Sequence, residues 1–367
     1  MLVRVLTFKN SEIYTNRLNS LVNTYFISGE RMPSIGIAGL GPAGAYLGAL
    51  LQDKAEIYEA QKEERFTSVC AWGTGYYSMK DLIKQTGVNF DDYILHKGKK
   101  IFVGWKGKLI EFDAYGLCTF DKPKLLKDLA KNTKVHFGSK VDRGYLESRY
   151  VLAVDATGVN RTLLGRLSKD FLVPTIEYKV RFENPPFDDF YIEPFSGYSG
   201  YLWYFPLSKK EYFVGGGDVN LNHEEKVLEF IKKHRGEIVV GSRMGKAIRL
   251  LPTEYVDPLY LMNAVAVGEA AGAVYPLLGE GILPSMISAK ILYDNDLNVR
   301  KYIAELKNYF LPYKKAYDYL TRKMKGQGNA LSDAISVFNI IRDAIKFKDV
   351  LGVDLKISYV FKILSIL

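Results

Sequence analysis

Residues 35–44 read Ile-Gly-Ile-Ala-Gly-Leu-Gly-Pro-Ala-Gly, an apolar run that passes into a glycine-rich turn. The apolar run predicts a buried strand, and the spacing after the turn predicts a helix. Gly39, Gly41 and Gly44 occupy the glycine positions of G-x-G-x-x-G, with Ala43 between the last two. Such glycines permit a tight turn, let a pyrophosphate approach the backbone, and let helix and strand pack closely. We therefore predict a dinucleotide at this helix start, whose N–H groups are free for phosphate.

The next predicted strand, residues 55–59, ends in an acidic residue. Glu59 lies 20 residues after Gly39. A carboxylate in this place accepts hydrogen bonds from the ribose hydroxyls of adenosine, and it disfavours a 2′-phosphate. The pattern therefore predicts FAD or NAD rather than NADP. A glycine-rich turn without any nucleotide is the alternative.

The remaining segments predict an α/β fold. Residues 151–155 and 264–267 have the composition of short buried strands, and residues 125–130 that of a helix. Between residues 175 and 217, apolar and polar residues alternate and aromatic residues are frequent, which is typical of half-buried antiparallel strands. From about residue 301 the apolar spacing is helical.

Three later segments favour FAD over NAD. Small residues follow the predicted buried strands at residues 151–155 and 264–267. The glycine-rich residues 279–282 predict a second helix start. A helix N-terminus stabilises the negative charge of a reduced flavin, whereas a nicotinamide needs no such element. These segments add predicted cofactor contacts at Gly158, Gly268, Glu269, Gly281 and Ile282.

The most specific motif lies in the aromatic region. Tyr201-Leu202-Trp203-Tyr204-Phe205-Pro206 is followed, after eight residues, by Gly215-Gly216-Gly217. This matches the Y-x-W-x-F-P-x(7–8)-G-x-G signature of the geranylgeranyl reductase family, which residues 32–290 resemble, within the flavoprotein superfamily of p-hydroxybenzoate hydroxylase. The resemblance implies an FAD-dependent reductase of carbon–carbon double bonds in a prenyl lipid or quinone. It also implies an apolar substrate pocket lined by Tyr201, Trp203, Phe205 and Pro206, whereas composition alone favours an ordinary aromatic core.

The resemblance assigns further residues to the flavin. A cysteine-containing turn contributes Cys70, Ala71 and Gly73, with Trp72 where the family usually has glycine, so Trp72 is expected to narrow the pocket. Lys122 stands where the family usually has arginine, and it keeps the charge without the bidentate fork. Val141 is also assigned to the cofactor. Cys70 is the candidate proton donor, because an ordinary thiol is protonated at neutral pH; a packing role is the alternative.

The implied architecture is a discontinuous Rossmann-like FAD-binding domain, an antiparallel-sheet substrate domain and a C-terminal helical region. The FAD domain is predicted to comprise residues 32–75, 118–168 and 260–298, and the substrate domain residues 76–117 and 169–259. Residues 1–31 are predicted to be an extension, and residues 299–367 to be helical. Residues 335–367 either pack on the flavin domain or form the mouth for a prenyl chain, with residues 359–364 grazing a membrane.

Composition limits the class of protein. Apolar residues make up 48% and charged residues 25% of the chain, which is typical of a folded globular protein and excludes wholesale disorder or collagen. The net charge of +9 is diffuse, so we expect no nucleic-acid partner. The two cysteines indicate a reducing compartment, which predicts a cytoplasmic protein with peripheral membrane contact as an option. The four histidines have no metal-ligand spacing.

Two other functions stay open at this stage. A flavin monooxygenase or halogenase acting on an apolar or aromatic substrate would use the same superfamily features. A non-catalytic flavin-binding or lipid-carrying protein would use them without turnover. The sequence has no second dinucleotide turn, so the electron donor is expected to visit transiently, as a reduced ferredoxin-like carrier or NAD(P)H.

Overall fold

The computed structural model describes residues 34–208, 210–327 and 329–354. The predicted N-terminal extension, residues 1–31, and the predicted membrane-grazing residues 359–364 lie outside these ranges. Among the described residues, no helix is long and apolar enough to cross a membrane.

The described ranges contain seventeen strands, which form three sheets. In chain order they are β1 Ile35–Ala38, β2 Ala55–Tyr58, β3 Gly73–Gly75, β4 Ile94–Lys97, β5 Lys100–Trp105, β6 Lys108–Asp113, β7 Leu117–Phe120, β8 Lys134–His136, β9 Leu152–Asp155, β10 Leu172–Arg181, β11 Phe190–Pro194, β12 Gly200–Ser208, β13 Glu211–Asp218, β14 Glu237–Ile238, β15 Met244–Arg249, β16 Tyr260–Leu261 and β17 Ala264–Ala266.

The same ranges contain nine α-helices. They are α1 Pro42–Leu51, α2 Tyr76–Lys84, α3 Lys122–Leu129, α4 Arg143–Glu147, α5 His223–Lys233, α6 Ile282–Asp294, α7 Val299–Met324, α8 Ala330–Lys346 and α9 Lys348–Leu351.

The first sheet has six strands in the order β16-β17-β9-β1-β2-β8, parallel except for β16. All four residues of β1 are buried, which is expected for a parallel strand covered on both faces. Helices α1 and α6 pack against each other, and α1 packs on β1 and β2. The carboxyl ends of β1, β2, β9 and β17 therefore meet at one edge, where doubly wound folds bind their ligands.

The second sheet is larger and mainly antiparallel. Its order is β14-β10-β13-β12-β11-β5-β6, and β15 also pairs with β10. Neighbouring strands place Glu177, Gly215, Trp203, Ile192 and Val103 in one register row across the sheet. Side chains of such a row point to the same face, so this row brings a carboxyl group and apolar groups together.

A small sheet, β3-β7-β4, packs against β12 of the second sheet. From β7, the hydroxyl of Thr119 donates a hydrogen bond of 2.5 Å to the carbonyl oxygen of Pro206 in β12. The C-terminal helices complete the core, and Tyr302 of α7 donates to the carbonyl oxygen of Ala266. The predicted α/β class, with a parallel sheet, an antiparallel sheet and C-terminal helices, is confirmed.

Pro206 lies inside β12, two residues before the strand ends. Proline is expected to end a strand or to lie on its edge, but β12 continues through Pro206 to Ser208. Pro206 lies at a local edge of the sheet, because β11 pairs with β12 only as far as Tyr204 and β13 alone pairs with Pro206, through Tyr212. The domain boundaries within the chain stay a prediction.

Candidate functional site

A cavity of about 1150 Å³ lies between the carboxyl edge of the first sheet, one face of the second sheet, and helices α7 and α8. Most of the side chains and backbone segments that the sequence assigned to a site line this one space. They are Gly39, Gly41, Ala43, Glu59, Cys70, Ala71, Gly73, Lys122, Val141, Gly158, Tyr201, Trp203, Phe205, Gly268, Glu269, Gly281 and Ile282. Gly44 and Pro206 do not line it.

The glycine turn forms one end of the cavity. Gly39 has a φ of 99°, and a Cβ there would lie 2.6 Å from the carbonyl oxygen of Ala156. A Cβ on Gly44 would overlap the carbonyl oxygen of Gly39, so Gly44 serves helix packing and not the ligand. A Cβ on Gly41 would meet nothing nearer than 3.9 Å, and Gly41 caps α1 without any side-chain hydrogen bond. This open backbone fits the pyrophosphate of a dinucleotide.

Glu59 is fixed at the same end. Its Oε2 accepts a hydrogen bond from the backbone N–H of Leu40 at 2.9 Å, and its Oε1 accepts one from Gln61 at 2.8 Å. A carboxylate retains further lone pairs, so it still can accept from ribose hydroxyls. The residues at this end therefore fit a dinucleotide.

Glu269 is held by a buried arginine. Its Oε1 accepts a hydrogen bond from the backbone N–H of Arg249 at 2.8 Å. The guanidinium of Arg249 pairs with Asp170 at 2.8 Å and donates to the carbonyl oxygens of Gly158 and Val159. Arg249, which sequence reasoning missed, thus joins the two loops that follow β9 and β17.

The second helix start differs from the expectation. The N–H groups of Ile282 and Leu283, at the start of α6, donate to Oε1 of Glu280 at 3.1 and 3.0 Å. The predicted anion-facing donors are therefore engaged by a carboxyl group of the chain itself. Burial raises the pKa of Glu280 to about 7, although the N–H of Leu283 opposes the rise. An acidic residue between two glycines, directly before a helix, was the available sequence signal.

The aromatic side chains of the signature line the sheet face of the cavity. Tyr201 and Trp203 are neighbours on β12, with ring centroids 5.9 Å apart. They pair with Gly217 and Gly215 of β13. A Cβ on Gly215 would overlap the indole ring of Trp203, so the glycine lets that ring lie across β13. The two halves of the signature therefore depend on each other sterically.

Phe205 continues this surface. Its ring makes an edge contact with Phe190 at a centroid distance of 4.9 Å, and a Cβ on Gly73 would overlap it. Trp72 does not line the cavity, so the expectation that it narrows the pocket was wrong. Its indole packs against Phe213 and donates to the carbonyl oxygen of Ser68 at 2.9 Å, which directs the ring away.

Three ionisable side chains meet where the dinucleotide end joins the aromatic face. Nζ of Lys122 lies 3.2 Å from Sγ of Cys70, and the N–H of Trp72 donates to the same sulfur at 3.3 Å. Burial raises the pKa of the Cys70 thiol, and the Lys122 charge opposes this. Glu177, on the facing strand β10, is 1% exposed. Burial raises its pKa to about 8, although the hydrogen bond from Trp203 opposes the rise.

Sequence reasoning missed Glu177. Its Oε2 accepts from Nε1 of Trp203 at 3.1 Å, whereas its Oε1 is buried without a hydrogen-bond partner. No signal in the sequence marked it, because Glu177 alternates with Thr175, Lys179 and Arg181 and so shares the polar face of β10. Inside a buried sheet face, an unpaired charge is costly. Burial therefore favours the protonated form of this carboxyl group.

The far end of the cavity is apolar and is closed by the C-terminal helices. It is lined by Tyr319, Leu320 and Met324 of α7 and by Val337, Ile340, Ile341 and Ala344 of α8. Ile192, Val103 and Ile110 face them from the sheet. Within the described ranges, no group of three or more His, Cys, Asp or Glu side chains could hold a metal ion.

Comparison of the fold with solved structures gives similar proteins over most of the chain. A geranylgeranyl bacteriochlorophyll reductase-like protein from Thermoplasma acidophilum is 14% identical, with a TM-score of 0.68 over 90% of this chain and 94% of that one. The flavin-dependent brominase Bmp2 is 14% identical, with a TM-score of 0.59 over 90% and 97%. PqsL, a probable FAD-dependent monooxygenase from Pseudomonas aeruginosa, is 14% identical, with a TM-score of 0.57 over 80% and 98%.

No protein-family model matches the sequence, and no curated protein does. At 14% identity, the structural likeness establishes the fold and not the reaction. The resemblance to the geranylgeranyl reductase family is therefore confirmed at the level of the fold. The chain therefore has the α/β fold of these three proteins.

Proposed function

We propose that the chain binds FAD and reduces carbon–carbon double bonds in the prenyl chain of a lipid or quinone. One observation carries this proposal: a single cavity has a dinucleotide cradle at one end and an apolar channel at the other. Large apolar pockets with a few polar groups at defined places are typical of ligand sites. A long hydrocarbon chain fits such a channel because burial of its apolar surface drives binding.

The chain's own residues would hold the cofactor and orient the substrate. Gly39, Gly41 and the start of α1 would hold the pyrophosphate, and Glu59 would accept from the ribose. Bound FAD would supply a hydride from its reduced ring to an isolated alkene. Tyr201, Trp203 and Phe205 would hold the alkene beside the ring and exclude water, which accelerates the reaction through orientation.

A protonated group is also required, because the second alkene carbon gains a proton. Cys70 stays a candidate for this role, and it lines the cavity beside Lys122. The electron donor is proposed to visit transiently, as a reduced ferredoxin-like carrier or NAD(P)H. Contact with a membrane face would give the channel access to prenyl lipids.

Anaerobic incubation tests the proposal. Purified protein loaded with FAD is reduced with dithionite and mixed with prenylated lipids and quinones, and products are analysed by mass spectrometry. We expect a gain of two hydrogens for each double bond reduced. Protein that stays colourless with added FAD, or FAD-loaded protein that changes none of these substrates, would contradict the proposal.

A flavin monooxygenase or halogenase is the second candidate, since two similar folds belong to proteins described in those terms. The two functions differ in how the reduced protein reacts with oxygen. Slow reoxidation without a hydroperoxide absorbance supports the reductase. Rapid formation of that absorbance supports the second candidate.

A further inference from the structure

We propose that Glu177 is the proton donor of this site, delivering its carboxyl proton to the second alkene carbon. The inference rests on the proposed reductase function and assigns a role that neither the signature nor the cysteine turn provides. Glu177 lines the cavity on the same register row as Trp203 and Ile192. Its position therefore places an acid on the apolar face where the prenyl chain would lie.

One carboxyl oxygen of Glu177 makes no hydrogen bond. Oε2 accepts from the indole of Trp203 at 3.1 Å, and Oε1 is buried with no partner. A neutral carboxyl group has one O–H donor and can carry it on Oε1. A buried polar atom without a partner in a native site calls for a specific role. Donation to a bound substrate supplies that role.

The surroundings of Glu177 suit a group that alternates between neutral and charged forms. The carboxyl is 1% exposed, which favours the protonated form before reaction. After transfer, the indole N–H of Trp203 and the ammonium of Lys122 would stabilise the carboxylate. Among the described residues, Lys122 and the thiol of Cys70 interact electrostatically with Glu177.

Cys70 is a weaker acid in the same place. Burial raises the pKa of its thiol above the ordinary value of 9.0, whereas the Glu177 carboxyl has a pKa of about 8. The ammonium group of Lys122 and the backbone N–H of Trp72 both donate hydrogen bonds to the sulfur of Cys70. The stronger acid transfers its proton more readily, which favours Glu177.

The step balances as a two-electron reduction. The alkene gains a hydride on one carbon and the Glu177 proton on the other, and the carbon–carbon π bond is lost. Glu177 becomes a carboxylate and recovers its proton from water when product leaves. The reductant is the reduced FAD of the proposed function.

Glu177→Gln tests the role, with Glu183→Gln as the matched control. Glutamine keeps an acceptor for Trp203 and nearly the same volume but has no acidic proton. Glu183 follows β10 in the chain, is exposed, and pairs with Lys210 at 3.2 Å. We expect Glu177→Gln to bind FAD and to be reduced by dithionite normally, with alkene reduction about 100-fold slower. The control is expected to behave as the wild type.

Infrared spectroscopy of the wild type provides a readout that does not require turnover. We expect a carbonyl band of a protonated carboxylic acid at neutral pH that fades above about pH 8. The difference spectrum between wild type and Glu177→Gln should contain it, and that between wild type and Glu183→Gln should not. Absence of this band from the first difference spectrum would overturn the inference even if the variant failed to fold.

The outcomes separate the inference from the proposed function. Equal alkene reduction by wild type and Glu177→Gln would overturn the inference alone. No alkene reduction by the wild type would overturn the proposed function, and the inference with it.

Discussion

The indole Nε1 of Trp203 donates a hydrogen bond of 3.1 Å to Oε2 of Glu177 from two strands away. Trp203 lies on β12 and Glu177 on β10, and the ring reaches its partner across Gly215 of β13. Any side chain at Gly215 would occupy the space of the ring. The tryptophan and glycine of the signature therefore position a third residue, which lies outside the signature.

Gly215→Ala is expected to displace the Trp203 ring. Overpacking of a closely packed site costs about 1–3 kcal/mol of unfolding free energy, and a lost hydrogen bond adds to the loss. Urea unfolding at constant pH measures the change. The control is Gly144→Ala in α4, where the nearest atom would lie 3.6 Å from the new Cβ. Equal stability of the two variants would contradict the steric coupling.

Glu59→Gln is expected to weaken FAD binding about tenfold. The substitution removes the charge that strengthens hydrogen bonds from ribose hydroxyls, and a tenfold change corresponds to about 1.4 kcal/mol. Quenching of flavin fluorescence gives the dissociation constant. Glu64→Gln, at an exposed position nearby, serves as control. An unchanged constant in Glu59→Gln would mean that Glu59 does not contact the cofactor.

The contribution of Glu177 to the stability of FAD-free protein is expected to fall as pH rises. The pKa of Glu177 is about 8 in the folded chain against 4.5 ordinarily, so between these values the folded state keeps a proton that the unfolded state releases. This contribution to the unfolding free energy therefore declines from about pH 5 to about pH 8 and levels off above. Glu280 contributes in the same direction up to about pH 7.

In Glu177→Gln, the contribution of Glu177 to this pH dependence of the unfolding free energy is lost. Urea unfolding at about pH 5 and about pH 8 should show a smaller difference for Glu177→Gln than for the wild type, and the wild-type difference for Glu183→Gln. Identical differences in all three proteins would mean that Glu177 ionises normally.

Ile341→Trp is expected to obstruct the apolar end of the channel. Ile341 is buried on α8 and lines the cavity, far from the dinucleotide cradle. The KM for a long prenyl chain should rise, whereas FAD affinity should not change. Phe338→Trp, on the exposed face of the same helix, is the control. If both variants accept long chains as the wild type does, the prenyl group does not extend between α7 and α8.

Local patterns predicted much of the fold. The run from Ile35 to Gly44 predicted β1, the turn and α1, because buried parallel strands and phosphate turns have short-range signatures. The alternating aromatics likewise predicted β10 to β13.

The residues of the site were harder to predict from the sequence than the fold. Glu177 belongs to it through a contact that no local pattern encodes, because its carboxyl group accepts a hydrogen bond from an indole of another strand. Glu280, in contrast, accepts from the helix start that directly follows it. Trp72 illustrates the opposite error, because its neighbours in sequence line the cavity whereas its own ring packs on Phe213. Side-chain direction in a turn is fixed by tertiary packing.

The central claim is that one cavity holds FAD and an alkene together. Anaerobic stopped-flow mixing of dithionite-reduced, FAD-loaded protein with a prenylated lipid tests it most directly. We expect the absorbance of oxidised flavin to return in proportion to the lipid added, and to stay absent with the fully saturated lipid. Reoxidation at the same rate with both lipids, or with neither, would contradict the claim.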